Sequence, residues 1–188
     1  MVWNIPTQEK TLYLTFDDGP VPEATPYVLD LLKQYNAQAT FFCVGENVKK
    51  HPALFRRILD EGHATGNHTY HHLNGWKTKN HTYISNIGSA DGLIHSRLFR
   101  PPYGKLKLSQ YAHLKSHYSI IMWDVLSKDY DQSITGEQCL QRVIRKTKPG
   151  SILVFHDSIK AFERMQYALP RTLEYFSKKG FAFKKILL

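Results

Sequence analysis

Along the 188 residues, short apolar or β-branched runs give way to amphipathic stretches about seven times, with short connections between them. No other feature limits the fold as strongly, because strands joined through helices lie parallel and must be covered on both faces. The strand-like runs are 11–16, 39–44, 63–67, 98–100, 119–123, 151–155 and 181–187. Helical spacing marks 25–35, where Val28, Leu29, Leu31 and Leu32 recur and Thr25-Pro26 reads as a cap followed by proline at the first position. It also marks 52–61, with Leu54, Phe55, Ile58 and Leu59 on the apolar face and Gly62 as the stop, and then 83–94, 107–116, 135–147 and 161–179. The predicted fold class is α/β: one distorted (β/α) barrel of about seven βα units over residues 1–188, since the regular eight-unit form needs about 200 residues or more.

The unusual polar residues follow these runs. Asp17, Asp18 and the turn dipeptide Gly19-Pro20 end the first, His68 and His72 follow the third, and Arg100 ends the fourth. Asp124 and Asp129 follow the fifth and His156 the sixth. In a parallel barrel the carboxyl ends of the strands form one rim, where ligand and catalytic groups collect. Adjacent carboxylates repel, so a pair such as Asp17 and Asp18 calls for a cation, a shared proton or a basic neighbour; taken alone, the two would simply cap a turn. His68 and His72 have the His-x-x-x-His spacing of metal ligands, which on a helical turn puts both imidazoles on one side, with His71 pointing away. Thr69 stands where the zinc proteases carry glutamate, so any catalytic carboxylate comes from elsewhere.

The formal net charge of +9 favours anionic surroundings, but the basic residues are dispersed without the aromatic interleaving of an RNA-binding surface, so no specific nucleic-acid partner is expected. Cys43 and Cys139 have no zinc or redox spacing and read as buried thiols. No apolar run approaches a membrane span, and residues 1–6 lack the basic and apolar regions of a signal peptide; the first strand lies so near residue 1 that a piece of a longer protein is one reading. Asn67-His-Thr and Asn80-His-Thr match the glycosylation pattern, the first by coincidence because it overlaps a metal-ligand candidate.

Five ordered segments, Thr15-Phe-Asp-Asp-Gly-Pro20, His68-Thr-Tyr-His-His72, Arg100-Pro-Pro-Tyr-Gly104, Asp124-Val-Leu-Ser-Lys-Asp-Tyr130 and Val154-Phe-His156, resemble the motifs of polysaccharide deacetylases of the NodB-homology type, carbohydrate esterase family 4. The resemblance implies a hydrolase that removes N-acetyl groups from a glycan such as peptidoglycan or chitin. It implies one divalent metal ion, commonly Zn2+, on Asp18, His68 and His72. Asp17 would be the general base held by Arg100, the Tyr103 backbone N–H an oxyanion donor, and His156 the general acid oriented by Asp129. Asp124 is the other partner open to His156. O-deacetylation of a polysaccharide and glycan binding without catalysis are the alternatives. A monomer and an envelope or extracytoplasmic location are expected, with a cytoplasmic one left open. Tyr130 and Leu126 depart from the usual tryptophan and polar residue of the fourth motif, and Val154 from the usual leucine of the fifth, which bears on substrate preference more than on chemistry. Trp76, Tyr70, Tyr103 and Tyr130 are candidate sugar-stacking rings, whereas Trp123 reads as core.

Overall fold

The computed structural model describes residues 1–187; Leu188, the last position of the expected 1–188 unit, lies outside the described residues. The strands are β1 (Thr11–Asp17), β2 (Thr40–Cys43), β3 (Ala64–Asn67), β4 (Leu98–Phe99), β5 (Ser119–Ile120), β6 (Val125–Leu126), β7 (Ile152–His156) and β8 (Ala182–Phe183). The helices are α1 (Thr25–Gln34), α2 (Gly45–Lys50), α3 (Pro52–Asp60), α4 (Asn80–Ile94), α5 (Leu108–Leu114), α6 (Gly136–Lys146) and α7 (Phe162–Lys178). The sheet runs β5-β4-β3-β2-β1-β7-β6, with β8 paired to β1. Every strand pair is parallel. This is the distorted (β/α) barrel expected from the alternation. It is curled rather than closed: β5 and β6, consecutive in sequence, stand at its two edges. The first residues lie across the opening, where Val2 bridges Ile121 and Asn4 bridges Ser151.

The period of β1 explains the layering. Leu12, Leu14 and Phe16 point out into the cluster shared with the helices, where the Phe16 ring stacks on Phe41 at 5.0 Å and on Phe155 at 6.3 Å. Tyr13, Thr15 and Asp17 therefore point inward, and Tyr13 packs on the interior cluster of Phe42, Leu98, Ile121, Ile152 and Ile186. Strand register then places the chemistry. Asp17 lies opposite His156 on β7, and Asn67 opposite Phe99 on β4, so His68 and Arg100 leave the sheet side by side.

Several sequence expectations need correction. The helix α2 and the two-residue strand β6 have too few residues to show periodicity and were absent from the strand-and-helix pattern. Asp124 precedes β6 instead of following a strand: it accepts hydrogen bonds from Ser151 Oγ (2.9 Å) and the Ile152 N–H (2.8 Å), capping the start of β7 at the opposite rim. Leu59 is 40% exposed, so the apolar face of α3 is Phe55 and Ile58 with Leu54 partly buried. Thr25 does not cap α1; Ala24 is the N-cap and the Thr25 hydroxyl is used elsewhere. Asn67 is fully buried, with its amide on the Ile87 carbonyl, so it is no glycan acceptor. Cys43 and Cys139 are free and buried.

The helix α7 continues through Pro170, which has no N–H for the Gln166 carbonyl one turn back. The Tyr27 hydroxyl donates to that carbonyl instead, at 3.3 Å, which ties α7 to α1. At the start of α6, Thr135 and Gln138 form a reciprocal capping box. No helix among the described residues is long and apolar enough to cross a membrane.

Phe16→Ala removes the ring that joins β1 to both neighbouring strands, and should lower unfolding free energy by about 3–5 kcal/mol in urea titrations. A loss below about 1 kcal/mol would show that this stack is not central to the core.

Candidate active site

Arg100 is fully buried at the centre of the barrel mouth. Its Nη1 donates to Asp17 Oδ1 and to Thr15 Oγ1, both at 2.7 Å, its Nη2 to the Met122 carbonyl at 2.9 Å, and its Nε to the Ile121 carbonyl at 3.2 Å. The guanidinium lies 4.1 Å over the Phe42 ring. Burial pulls its pKa down from the ordinary arginine value, and the charge and hydrogen bond of Asp17 oppose this. Asp17 thereby keeps Oδ1 occupied and leaves Oδ2 facing His68, 4.0 Å from its Nε2.

His68 and His72 meet Asp18, but not on a helical turn. The loop after β3 has Thr69 at φ 63° and His72 at φ 53°, both left-handed, and these reversals bring the two rings to 5.1 Å. His68 Nδ1 is hydrogen bonded to the Arg100 carbonyl at 2.7 Å, which fixes the proton there and leaves the Nε2 lone pair for the cavity. Burial lowers the His68 pKa to about 4 against the pull of Asp17, so the ring is neutral at physiological pH. Asp18 Oδ1 lies 3.8 Å from His68 Nε2 and 3.1 Å from His72 Nε2, and all three ligand atoms fall within 4.8 Å of one another. Despite these approaches Oδ1 is a buried oxygen without a hydrogen-bond partner among the described residues. An orphaned carboxylate oxygen facing two imidazole nitrogens fits a divalent cation. Burial would push the Asp18 pKa up, but the approach of His72 and the charges of His156 and His68 outweigh it and hold the carboxyl well below its usual range.

Across the cavity stands His156, with Nδ1 on Asp129 Oδ1 at 2.7 Å and its backbone N–H on Asp129 Oδ2 at 2.7 Å. Asp129, not Asp124, is its partner. Burial alone would lower the His156 pKa, but the charge and hydrogen bond of Asp129, helped by Asp18 and Asp17, raise it to about 9. Arg164, absent from the sequence reading, holds this arm: its Nε donates to the Asp129 carbonyl at 2.7 Å and its Nη2 to the Lys160 carbonyl at 2.6 Å. Nothing in the α7 sequence distinguishes Arg164 from a surface cation.

Tyr103 occupies a 3-10 turn (Pro102–Gly104) at φ 61°, and its N–H has no partner among the described hydrogen bonds. The residue is 60% exposed, and its ring lies 4.7 Å from that of His72. Tyr130 packs edge-on to His156 at 5.0 Å. Trp123, expected in the core, packs half-buried against two core clusters and also shares with Tyr103, Tyr130, Leu126 and Lys160 the walls of a cavity of about 450 Å3 around Asp17, Asp18, His68, His72 and His156. A depression of similar size near Asp91, Arg97, His113 and His117 lies at the amino ends of β4 and β5 and contains none of these groups. Trp76 is 57% exposed with Lys105 Nζ 4.0 Å over its ring, whereas Tyr70 is partly buried against the core. His71 is exposed and bonded to Asn86, away from the cluster.

Asp157, also unread in the sequence, is fully buried beneath the Asp17-Asp18 turn. Burial, opposed by the Thr25 hydrogen bond and reinforced by the charge of Asp18, pushes its carboxyl up to about 8.

The polysaccharide deacetylase family model matches residues 4–117. A peptidoglycan-N-acetylglucosamine deacetylase of Bacillus cereus is 34% identical over 190 residues, covering 97% of this chain and 89% of that protein. The crystal structure of a peptidoglycan N-acetylglucosamine deacetylase in complex with 4-naphthalen-1-yl-N-oxidanyl-benzamide superposes with a TM-score of 0.93 at 31% identity, over 98% of this chain and 90% of that one. A pseudoenzyme of carbohydrate esterase family 4 from Bacillus anthracis shares the fold with a TM-score of 0.86 at 25% identity, over 98% of this chain and 66% of that one.

Because its folded pKa lies above the unfolded value of about 6.5, His156 contributes stability that is complete below that value and is lost as pH rises through about 9. In the metal-free protein, ring NMR signals of His156 should titrate well above those of an ordinary histidine, and Asp129→Asn should bring the midpoint down by at least one unit. An unchanged midpoint in that variant would remove Asp129 as the cause.

Proposed function

Since the chain belongs to the polysaccharide deacetylase family, we propose that it removes N-acetyl groups from the hexosamine units of peptidoglycan, releasing acetate, with a divalent ion held by Asp18, His68 and His72. The supporting observation is one cavity wall carrying an orphaned Asp18 oxygen beside two imidazoles, with Asp17 and His156 in register on adjacent strands. A pseudoenzyme of the same fold makes the fold insufficient evidence for turnover; the full set of base, acid and three ligand groups here supports catalysis. Two imidazoles, one carboxylate and an open position suit Zn2+.

A bound ion would polarise the acetyl carbonyl and lower the pKa of a water molecule towards about 7. Asp17, anchored through Oδ1 by Arg100, has Oδ2 available to take the proton of the attacking water. The Tyr103 N–H, without a partner among the described residues, donates to the oxygen on which negative charge develops. An amine leaves poorly unless protonated, and His156, held cationic by Asp129, has the proton to give. The Tyr103 and Tyr130 rings flank the reacting sugar, and Trp76 offers a stacking face further along the rim. The net charge of +9 suits an anionic wall polymer, and an enzyme acting on peptidoglycan would work in the cell envelope.

Acetate release should be strongest from peptidoglycan in a panel with chitin oligomers and acetylated xylan; release from xylan alone would replace amide by ester hydrolysis. Asp17→Asn should retain about one equivalent of Zn2+ and lose turnover by about 10²- to 10⁴-fold, whereas Asp18→Asn should also lose metal. Equal metal loss in both variants would reverse the two roles. His156→Ala should slow hydrolysis of an acetamide far more than that of an activated acetyl ester, whose leaving group needs no proton. Equal slowing of both would rule out His156 as the acid.

A further inference from the structure

Asp18 sits at φ 85°, a left-handed conformation that a non-glycine residue holds only when its surroundings impose it. The backbone groups around it are tied down. The Asp17 carbonyl accepts from the Asp157 N–H at 3.1 Å, the Asp18 carbonyl from Asn47 Nδ2 at 2.8 Å, and the Gly19 carbonyl from the Val44 N–H at 3.0 Å. The Gly19 N–H donates to Asp157 Oδ1 at 3.1 Å. The other oxygen, Asp157 Oδ2, is hydrogen bonded to Thr25 Oγ1 at 2.6 Å, and Thr25 Oγ1 in turn accepts from the Val21 N–H at 2.8 Å. Residue 19 has to be glycine because a Cβ there would meet Asp157 Oδ2 at 1.9 Å. Asp157 and Thr25 are both fully buried, and nothing in the chemistry above uses them.

We propose that Asp157, clamped by Thr25, is a positioning residue for the metal site: it grips the turn through the Gly19 N–H and thereby holds Asp18 in the conformation that aims Oδ1 at His68 and His72. A carboxyl group just after β7 thus controls a ligand just after β1. Substituting groups that orient a ligand typically costs 10- to 100-fold in metal affinity, and Asp157→Ala should fall in that range. The inference rests on Asp18 being a metal ligand, as argued above.

The test is Zn2+ affinity by competition with a chromophoric chelator, with circular dichroism to verify the fold, on the wild type, Asp157→Ala, Asp157→Asn, Thr25→Val and Thr25→Ser. Asparagine keeps an oxygen for the Gly19 N–H and presents its amide to Thr25 Oγ1, so Asp157→Asn should bind within about threefold of wild type, while Asp157→Ala weakens binding 10- to 100-fold. If Asp157→Ala does not fold, Thr25→Val carries the test: it should weaken Zn2+ binding several-fold, with Thr25→Ser restoring it. Wild-type affinity in a folded Asp157→Ala or Thr25→Val protein overturns the positioning role and leaves the metal site standing. A wild type that binds no Zn2+ overturns both.

Discussion

The mouth of this barrel depends on one buried ion pair. Arg100 and Asp17 are both withdrawn from water, and such a pair holds only when its remaining hydrogen-bonding groups are also satisfied. Arg100 meets that condition with Thr15 and the carbonyls of Ile121 and Met122, and its face lies on Phe42. It therefore links β1 to the segment after β5, on the far side of the curled sheet, across the interior that holds the Phe42, Leu98, Ile121, Ile152 and Ile186 cluster. Its own carbonyl fixes the proton of His68, so the same residue sets the orientation of a carboxylate and the tautomer of an imidazole.

The surroundings of this pair separate two histidines by several orders of magnitude in acidity. Burial outweighs the pull of Asp17 and Asp18 on His68, which falls to about 4, whereas the charge and hydrogen bond of Asp129 outweigh burial at His156, which rises to about 9. Neutral and cationic imidazole can thus stand in one cavity at one pH, the first suited to offering a lone pair and the second to giving up a proton. A cation bound at Asp18 would cancel part of the negative charge that raises His156, so the two halves of the cavity are electrostatically coupled.

Much of the architecture was legible because most strands read as short apolar or β-branched runs, as burial on both faces favours. The gathering of Asp17, Asp18, His68, His72, Arg100 and His156 at one rim was legible for the same reason, since each lies at or just after the end of such a run. Thr25 shows where local reading stops. Its place before Pro26 is a cap signal, but a carboxyl group 132 residues away competes for the hydroxyl and takes it. The loop from His68 to His72 is a second case: the four-residue spacing suggested a helical turn, and two left-handed residues achieve the same convergence instead. Asp157 and Arg164 act only through partners distant in sequence, and no local pattern marks such residues.

β1 lies in the interior of the sheet, paired on one side with β2 and on the other with β7. The candidate ligands Asp18, His68 and His72, with the bracing Arg100, belong to the part of the chain made first, and the partner edge of β1 stays bare until β7 and Asp157 emerge. A ribosome working from the amino terminus therefore makes Arg100 and everything before it 56 residues ahead of His156. Joining β7 to β1 spans most of the chain, a long-range closure of the kind that slows folding. The candidate ligand groups are thus present in the nascent chain before both Asp157, which fixes the turn that carries Asp18, and His156.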